Sequence, residues 1–458
     1  MEVSRVIKSM QREIITVQIG RCGNRVGTKF WEIIANEHGI EPDGFYRGDS
    51  PLQLERIGVY FNEMRRQKYC PRAIFIGSES RVLDTVHFSP YGDLFKPNHS
   101  LCYLSSNSYK GHYAEEMDIE VIMDIIRREA EISDELQGFQ LIHSLGGSTG
   151  SRSGSSIITK IREEYPNRIL SSFSMFPTPK ISDALVTESY NVTLATHHLI
   201  ENVDETFCIE NEALRNISLH TLKITQPTYH DFDHIASMAM SGVTSFLRFP
   251  GQLNSDLHEL GVSMIPLPKL HFLMFGCTPL PIHSFAESEL VNTNYLIQQL
   301  FDERYMMTTY NPRNGRYLAA SAMFRGPISM HDLETQISNI RMTMIPGCIP
   351  KNIKLGTCDI PTRGTKNTAV SLFNATAIQE IFANIRLKYT AMFQHKTFFH
   401  WYKSEGMEEA EFVEVDNTIK DLITEYQQYE VVSNDEDWID EVDDGMEAVN
   451  DMEQPDQK

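Results

Sequence analysis

The sequence predicts an α/β protein built on a doubly wound parallel sheet, and three observations predict it. Apolar runs of strand length alternate with stretches of helical periodicity. Two turns rich in small residues each join a strand-like run to a helix-like one: Gly20-Arg21-Cys22-Gly23-Asn24, and His143-Ser144-Leu145-Gly146-Gly147-Ser148-Thr149-Gly150-Ser151-Arg152-Ser153-Gly154. In such sheets a ligand lies at the carboxyl ends of the strands, where both turns fall.

Taken in order, residues 1–10 read as an appended arm. Ile14 to Ile19 has the composition of a first strand, with Thr16 and Gln18 interspersed. After the first turn, Val26 to His38 predicts a helix whose apolar face holds Phe30, Trp31, Ile33 and Ile34. A strand, a glycine turn and a helix form a nucleotide-binding arrangement, although two glycines alone suit a plain connection equally well. Arg72 to Ile76 reads as a strand, and Ile119 to Glu131 as an amphipathic helix with Ile122, Met123 and Ile126 on its apolar side. Leu136 to Ile142 and Ile169 to Phe176 read as buried strands, the second ending at Pro177-Thr178-Pro179. Tyr229 to Phe246 predicts a long central helix. Residues 249–375 carry more Pro and short strand-like runs, His271 to Phe275 and Tyr317 to Phe324, which predict a second α/β unit around a mixed sheet. Ala377 to Phe393 and Glu408 to Tyr429 predict a C-terminal helical hairpin, and the charged tail after Ser433 predicts disorder.

The second turn carries the chemistry. Small residues between a buried strand and a helix expose several backbone N–H groups, and with the positive helix end they make an anion site, usually for phosphate. The alternative on this segment alone is an ordinary Gly/Ser turn.

Bulk properties narrow the class. The chain has 458 residues, enough for two or three packed units, and is 41% hydrophobic with 10% aromatics, which supports large cores. Its formal charge is −21, and residues 435–458 hold eleven acids against one Lys. An acidic globule does not seek nucleic acid or anionic membranes; it attracts basic partners. Seven dispersed cysteines without a CxxC pair predict free thiols in a reducing compartment. The charged N-terminus lacks a signal-peptide core, and no run of ~18 apolar residues exists to span a bilayer. A dinucleotide-dependent oxidoreductase lacks its GxGxxG after the first strand, and a P-loop enzyme lacks its GxxxxGK[ST].

From Gln11 to about Tyr429 the chain resembles the tubulins, and the β-tubulins among them. The turn at 146–152 is similar to the family's phosphate signature. Lys110-Gly111-His112-Tyr113, Ile161-Arg162-Glu163-Glu164-Tyr165-Pro166, Asp204-Glu205-Thr206 and Phe249-Pro250-Gly251-Gln252-Leu253-Asn254 look like tubulin stretches. Cys358-Asp359-Ile360-Pro361 runs into Arg363-Gly364 without the α-tubulin insertion, and Glu425-Tyr426-Gln427-Gln428-Tyr429 precedes an acidic tail, both β-like. The resemblance implies a Rossmann-like GTP-binding domain at 11–228, a central helix at 229–248, an intermediate α/β domain at 249–376, C-terminal helices at 377–434 and a tail at 435–458. It implies GTP/GDP and Mg²⁺ as cofactors, pairing with α-tubulin, lattice neighbours in cytoplasmic microtubules, and motor and microtubule-associated proteins on the tail. GTPase activity, where present, is coupled to polymerisation, with the site completed by the adjacent subunit.

Residue by residue, the resemblance places Gly20, Arg21 and Cys22 at the first phosphate-side turn. Ser144, Gly146, Gly147, Ser148, Thr149 and Gly150 match the main phosphate loop. Glu79 matches an acid that holds Mg²⁺ through water. Asn107 lies in the segment Tyr103–Tyr109, which matches the loop that senses the γ-phosphate. Asp183 and Glu188 match the ribose contacts, with an insertion near Thr187. Asn211, Tyr229 and Asp233 match the guanine pocket, Tyr229 as stacking platform.

The departures gather at these loops. Arg21 stands where β-tubulins have Gln, Gly77 where they have Asp, and Asp233 where they have Asn; a carboxylate there suits guanine's N1–H and N2–H₂ donors. The segment 103–109 is shorter than the family's. Ser148 and Arg152 replace glycines, and Ser148 is expected to add a Cβ at a positive φ, a strain of ~1 kcal/mol or more. Glu259 takes the place of the β-tubulin Lys with the α-tubulin acid that orients water on a neighbour's GTP. Ser288 and Glu289 replace an aromatic and an Arg of the lateral loop, which predicts weaker lateral association. Phe246 replaces a Cys lining the colchicine pocket, which predicts weaker colchicine binding. The stretch Arg341 to Lys351 is shorter than in β-tubulins and lacks their Trp, which puts part of the longitudinal contact in doubt. Two readings follow: a polymerising GTP-binding subunit, and a weakly polymerising or non-polymerising pseudo-GTPase that caps or modulates microtubules.

Overall fold

The structure, a computed structural model, describes residues 12–102, 116–177, 187–251, 256–280, 293–343, 353–362, 365–404 and 406–431. Strand β1 (Arg12–Ile19) is buried at every position after the first, as a central parallel strand must be when helices cover both faces. Helix α1 (Gly20–Glu37) follows with no intervening loop. Its 3.6-residue stripe of Val26, Phe30, Trp31 and Ile34 is fully buried against the sheet. Next come β2 (Ala73–Gly77), α2 (Ser80–His87), β3 (Ser100–Cys102), α3 (Glu116–Ile132), β4 (Glu135–Ser144), α4 (Gly154–Glu164), β5 (Ile169–Phe176), α5 (Glu188–Asn202), β6 (Glu205–Glu210) and α6 (Asn211–Asn216). Helix α7 (Tyr229–Val243) and α8 (Leu257–Met264) lead to β7 (Phe272–Thr278), α9 (Thr293–Leu300), β8 (Tyr317–Arg325), α10 (Met330–Thr343), β9 (Ile353–Cys358) and β10 (Thr368–Ala375). The chain closes with α11 (Gln379–Gln394), α12 (Phe399–Ser404) and α13 (Glu409–Val431).

These ten strands form one sheet in the order β9-β8-β10-β7-β6-β5-β4-β1-β2-β3, and two further short strands, Phe61–Met64 and Lys68–Pro71, pair antiparallel in a sheet of their own. From β3 to β7 every pair is parallel. This is the doubly wound half, and both small-residue turns lie at its carboxyl edge. Beyond β7 the pairing is mixed: β10 is antiparallel to β7 and to β8, while β8 and β9 are parallel. The mixed sheet expected beyond residue 249 is therefore not a separate layer. It continues the first sheet through a short seam in which Thr206 pairs with Phe272 and Phe207 with Leu273.

Helix α7 packs on α1, with the Ser237 hydroxyl donating to the Val26 carbonyl at 2.9 Å, and reaches β10, where Gly242 meets Val370. The long helix expected to Phe246 stops at Val243 and resumes as a short turn at Ser245–Arg248. Ser and Thr hydroxyls bonded back to carbonyls explain the break: Thr244 donates to Met240 at 3.0 Å and Ser245 to Gly242 at 2.7 Å. At the far end of α1, Glu37 is fully buried between Arg248 (2.7 Å) and Arg325 (2.8 Å), so one carboxylate ties α1, the α7 extension and β8 together. Burial alone raises the Glu37 pKa, but the two guanidiniums outweigh it and hold it down at about 2. The C-terminal hairpin packs on α5 through Tyr190, whose ring lies 5.6 Å from Tyr389, 5.2 Å from Tyr402 and 5.8 Å from Phe412. Helix α12, not foreseen, joins its two arms. Among the described residues no helix is long and apolar enough to cross a membrane.

Candidate functional site

Two helix N-termini converge at the carboxyl edge of the parallel half. Gly20 opens α1 with φ +76°, a conformation glycine adopts without strain, and a Cβ there would stand 3.3 Å from the Gly150 nitrogen. Gly150 in turn is pressed on Ser144, whose carbonyl oxygen would lie 2.3 Å from an added Cβ. Gly147 faces open space. After Leu145, the chain winds into a π turn, Thr149–Ser153, that runs straight into α4. A π turn inside a helix start is an irregularity common at functional sites. The backbone N–H groups of these two starts, with the positive helix ends, make a cradle for an anion, and no side chain fills it at the glycines.

The turn is braced from beneath. Fully buried His143 contacts the Gly150 carbonyl through Nδ1 at 2.9 Å and the Ser174 hydroxyl through Nε2 at 2.8 Å. Burial lowers its pKa to about 4, so the ring is neutral, and the carbonyl partner requires the hydrogen on Nδ1. Thr149 Oγ1 meets Ser78 Oγ at 2.9 Å, which brings the end of β2 to the turn. Glu79, next to Ser78, is exposed at the start of α2, and Gly77 is buried at the strand end. Gly146 is bonded by Asn191 Nδ2 at 3.2 Å and lies against Glu188, the first residue of α5.

A second group lies on one face of α7. Tyr229 is 55% exposed and Asp233, one turn on, is 6% exposed. Arg25 from α1 reaches the Asp233 Oδ2 at 2.8 Å through Nε and 2.7 Å through Nη2, and its guanidinium stands 5.2 Å from the Tyr229 ring centroid. Burial raises the Asp233 pKa and Arg25 opposes it. Cys22 lies beside this pair, its Sγ 3.0 Å from Met175 Sδ, and burial, then the Asp233 charge, push the thiol up to about 12. The thiol is therefore held in its protonated form. Asn211 is half-buried at the start of α6, beyond the end of β6 and on the same sheet edge.

The structure thus brings together Gly20, Cys22, Ser144, Gly146, Gly147, Thr149, Gly150 and Glu188, and sets Tyr229 and Asp233 beside Cys22. Arg21 is exposed on the first turn of α1. Ser148 corrects an expectation: its φ is −59° and ψ −45°, right-handed helix, so its Cβ carries no positive-φ strain. The positive φ sits at Gly20. Asn107, Asp183, Ser288 and Glu289 lie outside the described residues, as do the arm 1–10 and the tail 435–458. Phe246 is buried at 6% exposure in the core beneath α7. Glu259 is exposed in the first turn of α8, far along the chain from the cradle, with its N–H donated to Asp256 at 2.8 Å. Sequence reasoning missed Arg25, Ser78, His143 and Asn191. Of these only Arg25 had a signal: a cation one turn after Arg21, matched by an acid that replaces a neutral residue at 233.

Residues 13–218 match the Tubulin/FtsZ family, GTPase domain, and residues 268–387 match the tubulin C-terminal domain. The chain belongs to the tubulin family. The first match spans the cradle and all of the parallel half up to α6. The second covers β7 to β10 and most of α11. A guanine-nucleotide-binding, cytoskeletal protein is what that membership implies, and the glycine-lined cradle at two helix starts fits a nucleotide's phosphates.

Proposed function

We propose that this tubulin-family chain is a β-tubulin-like subunit that binds GTP, pairs with α-tubulin and enters a head-to-tail polymer. The observation that carries the reading is the convergence of Gly20 and Gly150 at two helix starts, with Tyr229 and Asp233 held against the first of those helices through Arg25. In this reading the N–H groups of 20–22 and 146–150 hold phosphate oxygens, and His143 and Ser78 keep that loop in shape. Glu188 and Asp183 hold the ribose, Asn211 the edge of the base, and the Tyr229 ring its face. Glu79 would hold a Mg²⁺ through water, without the second acid that Gly77 replaces, and the ion would supply charge neutralisation to the phosphates. Exposed Glu259 orients water on the otherwise inert GTP held between the two subunits of the dimer. The sparse acidic tail recruits basic motor and microtubule-associated proteins in a salt-dependent way.

A second reading is a pseudo-GTPase tubulin that caps or modulates ends. It is favoured by Arg25, which occupies the Asp233 carboxylate and lies over Tyr229. Co-expression with α-tubulin, followed by quantification of bound guanine nucleotide and of co-pelleting with polymerising tubulin, separates them. Two nucleotides per dimer with co-pelleting is the expected result. One nucleotide per dimer and no pelleting sinks the first reading in favour of the second. Glu259→Lys leaves binding unchanged and stops hydrolysis of the GTP between the two subunits; a wild-type dimer in which that GTP stays intact over many polymerisation cycles removes Glu259 from the chemistry.

A further inference from the structure

Arg152 lies in the π turn and reaches towards the C-terminal helices. Its guanidinium lies 5.6 Å from the ring centroid of Tyr402 on α12. Tyr402 is 3% exposed, and its hydroxyl meets Asn191 Oδ1 at 3.0 Å and the Thr187 carbonyl at 3.5 Å. The other end of the Asn191 amide donates to the Gly146 carbonyl at 3.2 Å. The phosphate loop is thus gripped twice from one ring, at Gly146 through Asn191 and at its π turn through Arg152. The space between is a crevice of about 10 Å³, lined by Ser155, Leu194, Ala195 and Met407 as well as Arg152 and Tyr402.

We propose that Arg152 is a positioning residue of the nucleotide site, clasping the phosphate loop to the C-terminal helices and slowing nucleotide release. A cation held on a buried aromatic face is worth more than one in water, because the surroundings screen it less. The loop and α12 then move as one body: a loop that opens to release nucleotide must also pull Arg152 off Tyr402. By reciprocity, nucleotide binding stabilises the seating of α12 on α5. The clasp rests on the nucleotide reading above.

The test uses the full chain co-purified with α-tubulin and follows release of a fluorescent GDP on dilution into excess GTP. Arg152→Met keeps the stem and removes the cation; Arg152→Lys keeps a cation. R152M is expected to release nucleotide about fivefold faster, the low end of ordinary site coupling, and R152K to stay near wild type. Tyr402→Leu, which loses both grips, is expected to release nucleotide at least as fast as R152M. Wild-type release by R152M, R152K as fast as R152M, or wild-type release by Tyr402→Leu each overturns the clasp. Hydrogen exchange of amides 146–154 without nucleotide keeps the two readings apart. If the wild-type chain holds no nucleotide, the nucleotide reading fails, and the clasp is then judged on exchange alone. Faster exchange in R152M but not R152K supports it, and equal exchange overturns it.

Discussion

At the scale of single residues, Ser148 and Glu205 make opposite points about what a side chain does in a tight place. Ser148 sits in right-handed helix, so glycine there has only backbone entropy to lose. Ser148→Gly is therefore expected to lower the melting temperature slightly, by about 0.5–1 kcal/mol of stability, where a strained serine would have given a rise. Thermal unfolding of the dimer reads the sign. Glu205 is 1% exposed, and neither carboxylate oxygen has a hydrogen-bond partner among the described residues. Burial, then the nearby Asp204 charge, raise its pKa from 4.5 to about 8. Across that window the folded chain keeps a proton that the unfolded chain has released, so stability falls as pH rises through it. Glu205→Gln should melt higher than wild type at pH 8, with the gap closing towards pH 5; a gap that does not depend on pH refutes the assignment. The glycine-rich signature announced a phosphate turn, but a run of small residues says that a backbone can bend and not which residue bends. That is why the positive φ was expected at 148 and occurs at Gly20.

Helices with a clean apolar stripe, and strands buried on both faces, were legible in order and nearly in extent. α3, β4, β5 and α13 stand within a few residues of their expected spans, whereas α1 begins at Gly20, six residues before the expected Val26, so that the residues read as a turn are its first turn of helix. Short elements were not: Ser100–Cys102 and Ile353–Cys358 gain their pairing from neighbouring strands rather than from pattern. The same holds for the base end of the site, where the residues that meet belong to different helices. Arg25 and Asp233 are distant in sequence and adjacent only because α1 and α7 pack together. Their opposite charges define one element-level expectation. Asp233→Asn leaves Arg25 with a neutral partner and is expected to weaken guanine-nucleotide binding about tenfold, about 1.4 kcal/mol, in line with a lost charge-assisted hydrogen bond. Arg25→Gln combined with Asp233→Asn restores a neutral pair and most of the affinity. Equilibrium titration with a fluorescent guanine nucleotide measures both, and equal weakening in single and double variants removes the pair from base recognition.

For the whole molecule, the parallel-then-mixed order of units was visible in the alternation of strand and helix signals, while their fusion into one sheet was not, because no local pattern records which strands become neighbours. The buried triad of Glu37, Arg248 and Arg325 is of the same kind: three residues from three parts of the chain, none remarkable alone. Glu37→Gln leaves two guanidiniums buried without a counter-charge and is expected to destabilise the fold by ~3–5 kcal/mol. Urea unfolding with the slope held constant would show it as a lower midpoint. The seam between β6 and β7 has a mechanical consequence. Six strands on one side and four on the other are each joined by longer ladders, while the sheet crosses the join only where Thr206 and Phe207 face Phe272 and Leu273. A subunit pulled along its long axis should tear there first, like a perforated sheet, so its two halves would part as intact pieces before either unravels.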